Sequence, residues 1–595
     1  MGQVQALHAP SHRGIRRLFS GCAVLSLAVA LAASAQAPAT TVPAPPRPHV
    51  AHVARPTIQA YIDQSWTGLE RSMTDCQSLV DPKTKTVPVL YLPQELPEPA
   101  AVRALEAGCG VHAEHLPRRI DHPGALMPSE VAKPGLLYLP NPYIVPGGRF
   151  NEMYGWDSYF ILQGLVTDKH LPEGLSLAQG MVENFFFEIE HYGNLLNANR
   201  TYFLTRSQPP LLSSMIRMVY DASAAAPQGS GMADPWLAKA YGYAVRDHAL
   251  WLTPEHAAGD TGLARFHDLG EGPVPEMADA STYYPDIVRW LLRHPEVKTD
   301  YLVDGPATLP TVADTANDPE LAELAAASCD VAKSEVCEHA HVGLHWLSRS
   351  FYEGDRAMRE SGFDTTFRFG PFSGSTQQFA PVCLNALLYK YELDLAWMAD
   401  HLGKPAESAE WTRQAAARKA AMDKYLWNAE RGLYFDYNFT THTQSTYTFI
   451  ATFYPLWAGA ASPEQASAVA ANLPLFLEPG GVATSIEQSG VQWDLPYGWA
   501  PTTFFTVAGL ERAGAHSAAR MVAKRFLKTV ANGYAQDGTL REKYNVVSSN
   551  ADVIVSAGYK QNVIGFGWTN GVFLKLQQFL AAPAAKATGA LIGTP

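Results

Sequence analysis

The sequence predicts an all-α protein, a helical toroid whose loops build one central pocket, and two observations carry that expectation. Apolar residues recur at helical steps in long paired stretches, and the connecting loops are rich in Gly, Pro and aromatic residues. The clearest pair lies in the second half. Leu384, Leu387, Leu388, Tyr391, Leu395, Met398 and Leu402 fall three and four residues apart, on one face of a long helix. Gly403-Lys404-Pro405 ends it. Trp411, Ala415, Met422 and Leu426 mark a second helix that stops near Trp427-Asn428, and the short connection makes an antiparallel hairpin. Leu433 to Tyr437 reads as a short strand. Ser517 to Ala531 is a further helix with Met521, Phe526 and Val530 on its apolar side, and Ser517 suits its N-cap, where a hydroxyl accepts from a free backbone N–H. No internal repeat of fixed period is visible.

Composition narrows the class. Hydrophobic residues make up 47% and charged residues 17% of the 595, which excludes global disorder. A net charge of −12 offers no footprint for nucleic acid or for an anionic membrane. Arg13, Arg16 and Arg17 precede an apolar stretch from Leu18 to Ala33, and Ala33-Ser34-Ala35 offers a small-residue cleavage site. Residues 1–35 therefore read as a secretory signal peptide, whose apolar stretch is too short to be a comfortable membrane span. Arg16-Arg17-Leu18-Phe19 also resembles a twin-arginine export signal, so the expected location is periplasmic or secreted. Cys22 precedes most of the apolar stretch, which argues against a lipid anchor. The Ala/Pro-rich residues 36–56 read as a flexible linker, and 581–595 as a disordered tail. Between them, 57–580 is the expected catalytic domain, interrupted by an Ala/Asp-rich insertion over 300–345. Export permits disulfides. Of the six cysteines five follow residue 35, so at least one stays unpaired. Local spacing favours Cys76–Cys109 and Cys329–Cys337 and leaves Cys383 buried and free; other pairings stay open.

Two runs carry the chemistry. Pro146-Gly147-Gly148-Arg149-Phe150-Asn151-Glu152-Met153-Tyr154-Gly155-Trp156-Asp157-Ser158-Tyr159 places a cation, carboxylates, an indole and phenols behind a tight turn. Gln492-Trp493-Asp494-Leu495-Pro496-Tyr497-Gly498-Trp499-Ala500-Pro501 repeats that mixture downstream. Aromatic faces beside Asp, Arg and Gln suit a neutral, hydroxyl-rich sugar, whose C–H faces stack on rings while polar groups fix each hydroxyl. Both runs resemble the signature stretches of the trehalases, an inverting glycoside hydrolase family. The resemblance implies an (α/α)6 barrel, no cofactor or metal, and a small neutral disaccharide such as trehalose as the partner of an expected monomer.

Glycoside hydrolysis needs two carboxyl groups, one to protonate the departing oxygen and one to activate water or attack directly. The resemblance nominates them. Arg359-Glu360-Ser361-Gly362-Phe363-Asp364 resembles the segment with the general acid, which makes Asp364 the acid. Leu540-Arg541-Glu542-Lys543-Tyr544-Asn545-Val546 resembles the segment with the general base, which makes Glu542 the base. In the same way Arg149, Trp156 and Asp157 match sugar-binding positions. The stretch Asn197 to Pro210 carries over Asn197, Arg206, Ser207 and Gln208. Gly362 matches a place where backbone approaches the sugar, and Glu276 matches the Glu of an Arg-Pro-Glu triplet.

The match has gaps. Val274 stands where that triplet has Arg, the residues before Gly565-Phe566-Gly567-Trp568-Thr569-Asn570 lack the family's Gly run and its Glu, and Cys383 stands where Asp is usual. These departures fall on the wall expected for the second sugar. An inverting hydrolase of another α-glucoside, and a catalytically silent sugar-binding homologue, are the alternatives they leave. Cys337-Glu338-His339-Ala340-His341-Val342-Gly343-Leu344-His345 has metal-ligand residue types, but it lies in the insertion and is set aside as a zinc site.

Overall fold

The computed structural model describes residues 55–80, 87–225, 234–276, 282–297, 299–305, 341–556, 559–583, 589 and 591. The helices begin with α1 (Ile58–Leu69), α2 (Cys76–Leu79) and α3 (Ala100–Cys109). Four longer ones follow: α4 (Gly155–Leu165), α5 (Gly174–His191), α6 (Leu212–Ala224) and α7 (Asp234–Leu250). An excursion carries α8 (Tyr283–Arg293) and α9 (Arg349–Glu360). The chain then runs through α10 (Val382–His401), α11 (Pro405–Tyr425), α12 (Tyr454–Ala458) and α13 (Pro463–Ala471). It ends with α14 (Ala500–Arg512), α15 (His516–Asp537) and α16 (Gly567–Ala581).

Packing sorts these helices into two layers. Helices α4, α6, α10, α12, α14 and α16 each touch the next in that order, and α16 returns to α4, closing an inner ring. Helices α1, α5, α7, α11 and α15 pack outside the ring, and the short α13 falls between α11 and α15 along the chain and brings their number to six. This is an (α/α)6 barrel. Burial follows the layers. Every residue of α4 is buried, whereas α11 buries only Ala415, Arg418 and Met422 along one stripe. The ring closes on glycine: a Cβ at Gly571 would lie 2.0 Å from the Phe160 carbonyl oxygen, and one at Gly164 would lie 2.6 Å from Gly571 Cα. Only side-chain-free positions let α4 and α16 approach so closely.

Several expectations meet a different local structure. The α10–α11 hairpin forms as read, with Gly403 at φ +69 in the turn and Pro405 at the first position of α11, where its missing N–H costs nothing. Ser517 is not an N-cap, because α15 starts at His516 and Ala515 stands at the cap with no side-chain bond. Leu433–Tyr434 is a strand that pairs with Trp427–Asn428, while Tyr437 belongs to a second ladder with Phe379–Ala380 and Thr443–Gln444. An unforeseen three-stranded parallel sheet, Val89–Leu92 between His112–His115 and Leu136–Leu137, precedes the ring.

The linker expected over 36–56 gives way to order at its end. Arg55 donates to the carbonyls of Tyr534, Ala535 and Gln536 and so satisfies the last turn of α15, and Pro56 accepts from the Tyr534 hydroxyl. Residues 1–35, read above as a signal peptide, and residues 36–54 lie outside the described residues, as do most of 581–595 and Cys329 and Cys337. Cys76 and Cys109 form a disulfide, and Cys383 is free and buried. Of the segment 300–345, residues 306–340 lie outside the described ones. Its two flanks meet: Leu302–Asp304 and His341–Val342 both pair with His345–Leu347.

Candidate active site

A cavity of about 600 Å³ opens among the loops at the ring, a size that suits a small ligand. The first run enters it through α4. Tyr154 precedes the helix, Trp156 and Asp157 lie in its first turn, and Trp156 N–H donates to Gln208 Oε1 at 2.8 Å. The second run enters through an antiparallel pair, Tyr497–Trp499 against Lys543–Asn545, which sets Trp499 opposite Lys543 and brings Glu542 to the same wall. Trp493 and Trp499 stack with centroids 3.8 Å apart, and Trp156 packs on Trp493 at 5.9 Å. These indoles, with Phe150, Phe203 and Phe566, give the cavity its apolar faces.

Asp364 lies just beyond α9. Ser361 caps the helix, and Gly362 turns the chain at φ +75, where a Cβ would come within 2.7 Å of the Trp156 ring. The indole therefore packs directly on this backbone, and a larger residue would displace it. The Asp364 side chain is a quarter exposed, and Arg359 Nη1 stands 3.9 Å from its Oδ2. Burial raises its pKa from 3.8 to about 7, against the opposing pull of Arg359. A carboxyl near 7 keeps a transferable proton at neutral pH.

Glu542 is anchored on several sides. Its backbone N–H donates to Val563, its carbonyl accepts from Trp568 Nε1 at 3.0 Å, and Lys543 Nζ donates to its carboxylate at 2.6 Å and to the Gln561 carbonyl. Asp157 is pushed well above the usual carboxylate range, by burial first and then by the charges of Glu542 and Asp364. One buried carboxyl thus feels both.

The other expected residues divide. Arg149, Asn197, Arg206, Gln208, Glu276 and Gly362 line the cavity with Trp156, Asp157, Asp364 and Glu542. Arg206 pairs with Glu276 and stands 3.6 Å from Asp268, while Arg149 Nη1 donates to Gln561. Ser207 is not among the lining residues: its hydroxyl donates to the Leu195 carbonyl and its N–H to Glu360, so it braces the loop beside Arg206. The other carboxylates of the two runs are occupied elsewhere, Glu152 by Arg200, and Asp494 by Thr366, Ser485, Ser489 and the Phe367 N–H. Sequence reasoning passed over Arg359, Lys543 and Tyr559: Arg359 and Tyr559 line the cavity, and Lys543 bonds the Glu542 carboxylate. Arg359 and Lys543 sit inside the two runs that nominated the acid and the base, and that adjacency was the available signal.

Comparison with known proteins gives the setting. The family model described as Trehalase matches residues 52–294 and 321–581. A cytosolic neutral trehalase of Neurospora crassa is 31% identical, covering 89% of this chain and 74% of the relative. One from Kluyveromyces lactis is 34% identical, covering 76% of this chain and 58% of the relative. Among solved structures, the neutral trehalase Nth1 of Saccharomyces cerevisiae superposes with a TM-score of 0.69 at 30% identity, covering 90% of this chain and 96% of that one. These relatives overturn one expectation. They are named cytosolic, so the periplasmic or secreted location drawn from the N-terminal residues is withdrawn. Among the described residues no helix is long and apolar enough to cross a membrane.

Proposed function

The chain belongs to the trehalase family, and from that premise we propose that it cleaves α,α-trehalose to two glucoses by single-displacement inversion, with Asp364 as acid and Glu542 as base. The observation that carries this reading is the pair itself: two carboxyl groups on one aromatic-walled cavity, one of them raised to about 7 by burial. Asp364 gives its proton to the glycosidic oxygen as the C1–O bond breaks and is left as a carboxylate. Glu542 takes a proton from a water whose oxygen bonds to C1 from the opposite face. Atoms and charge balance, and the two products leave as one α- and one β-glucose. Asp157, held neutral between the two, is suited to donate a hydrogen bond to a sugar hydroxyl. Trp156, Trp493 and Trp499 present rings for C–H faces, and the Arg206–Glu276 pair and Asn197 line the wall.

The test is to incubate the protein with trehalose and follow the first anomers of glucose. Equal initial α- and β-glucose is the expected result. Two α products would overturn inversion, and no glucose would overturn the activity.

A further inference from the structure

Behind the cavity wall one buried carboxylate joins three segments of the site. Glu360 is the last residue of α9, just before the turn that carries Gly362 and Asp364. Its Oε1 accepts the Ser207 N–H at 3.2 Å, and its Oε2 accepts the His267 N–H at 2.7 Å. His256 Nε2 stands 3.3 Å from Oε2 and 3.5 Å from Oε1. Ser207 lies between Arg206 and Gln208, which line the cavity, and Gln208 takes the Trp156 N–H. His267 precedes Asp268, which accepts Arg356 Nη1 at 3.0 Å and faces Arg206. Glu360 and His256 themselves stand behind the lining residues. Downstream, the acid is held by the second run. Gln492 Nε2 donates to the Asp364 carbonyl, the Trp493 N–H to the Thr365 carbonyl at 3.1 Å, and Asp494 takes the Thr366 hydroxyl and the Phe367 N–H. These bonds seat the acid against the Trp493 wall; on the side of Arg206 the tie runs through Glu360.

We propose that Glu360, backed by His256, is a positioning residue for the cleavage: it sets the turn of Asp364 in register with the Arg206–Gln208 segment, so that the proton meets the glycosidic oxygen of a sugar which that segment holds. The proposal deepens the reading above and rests on Asp364 being the acid. Two of the three donors are backbone N–H groups, which cannot turn away, and a carboxylate offers an acceptor to both where an amide offers only one. A buried carboxylate is costly unless its bonds are made, and here they are made to residues that lie 93 to 153 positions before it in the chain. His256 completes the set. Its Nδ1 is 3.2 Å from Thr253 Oγ1 and the Trp251 ring packs on it at 5.0 Å, so the buried imidazole is held with Nε2 toward Glu360.

The experiment compares wild type, Glu360→Gln, His256→Leu, His256→Gln and Asp364→Asn on trehalose and on α-glucosyl fluoride, whose fluoride departs without a transferred proton. Glu360→Gln turns an NH2 group toward one of the two backbone N–H groups and parts the segments. Its kcat on trehalose is expected to fall by about 10- to 100-fold, the scale of a displacement of up to about 1 Å at the reacting groups, while KM moves by less than about threefold. The loss on the fluoride should be smaller by about fivefold or more, because that leaving group does not use the acid. His256→Leu removes the third donor and should show the same split at about 3- to 10-fold. His256→Gln puts an amide N–H where Nε2 stood and should restore kcat to within about twofold of wild type. A folded Glu360→Gln with a lower Tm that keeps its kcat, or that loses equally on both substrates, would show a brace of the fold alone and overturn the proposal. If Glu360→Gln does not fold, the split in His256→Leu and its rescue in His256→Gln decide. If Asp364→Asn keeps turning over trehalose, the acid assignment fails and the proposal with it. If Asp364→Asn loses trehalose but still splits the fluoride, and the Glu360 and His256 variants behave as wild type, only the positioning role fails.

Discussion

In Asp364→Asn a carboxyl that burial holds near 7 becomes a neutral amide of nearly the same shape, and the structure ties two opposite consequences to that change. Turnover loses its proton donor and should fall by at least about 10²–10⁴-fold. Stability should rise, but only at higher pH. In the unfolded chain the carboxyl ionises near 3.8, and in the fold near 7. Below 3.8 both states are protonated and the group has no effect. Between the two values the unfolded state sheds its proton while the folded state keeps it, so relative stability declines as pH rises, and the loss is complete above about 7. Roughly three units at about 1.4 kcal/mol each make about 4 kcal/mol the upper value of this burden. Asn carries none of it. Arg359 stays paired with Asp355, so the substitution strands no buried cation. Thermal unfolding of wild type and variant from pH 4 to 8.5 should give near-equal Tm at pH 4 and a variant higher by a few degrees at pH 8. A gap that stayed flat across that range would refute the burial argument. Retained turnover would refute the role.

Two further substitutions and a control probe other parts of the argument. Glu542→Gln should cut kcat by about 10²–10⁴-fold while glucose binding, read by calorimetry, largely persists, since the aromatic wall and the acid are untouched. Gly571→Ala should lower stability by about 1–3 kcal/mol or more, read as a drop in Tm, because its Cβ meets the Phe160 carbonyl at 2.0 Å and pushes α16 off α4. Gly242→Ala is the control: it lies within α7 with nothing inside 4 Å, so helix propensity alone acts and stability should hold or rise by up to about 1 kcal/mol.

Periodicity made the α10–α11 hairpin legible because an outer helix and its neighbour differ: α11 buries one stripe, and its polar remainder fixes the phase. The same signal fails for α4, which is buried at every residue and so has no polar face to set a period. Of the inner ring, α10 was legible from its apolar spacing, while α4 was visible only through its chemistry, in the aromatic run that opens it. Ring closure between Gly164 and Gly571 depends on residues some 400 positions apart, and no local pattern announces it. The small parallel sheet ahead of the ring was missed for a similar reason, since four-residue strands such as His112–His115 carry no buried alternation.

The acid and base stood out because each sits in a run whose neighbours it needs. Glu542 requires Lys543 beside it, and Asp364 requires Gly362 to let Trp156 pack on the turn. What the runs hid was exchange between distant positions. Cys383 looked like a lost carboxylate, yet Arg368 reaches Cys383 Sγ with one nitrogen and gives two others to Asp436, at 2.7 and 2.6 Å, so the charge that cation requires comes from the turn between the strands Leu433–Tyr434 and Tyr437–Asn438. There a motif judged residue by residue loses a charge. The folded wall instead holds a cation with a partner carboxylate, because a buried guanidinium without one costs several kcal/mol and a fold does not retain it. A missing letter in a signature is therefore evidence of lost chemistry only after the neighbouring elements have been searched for the charge that replaced it.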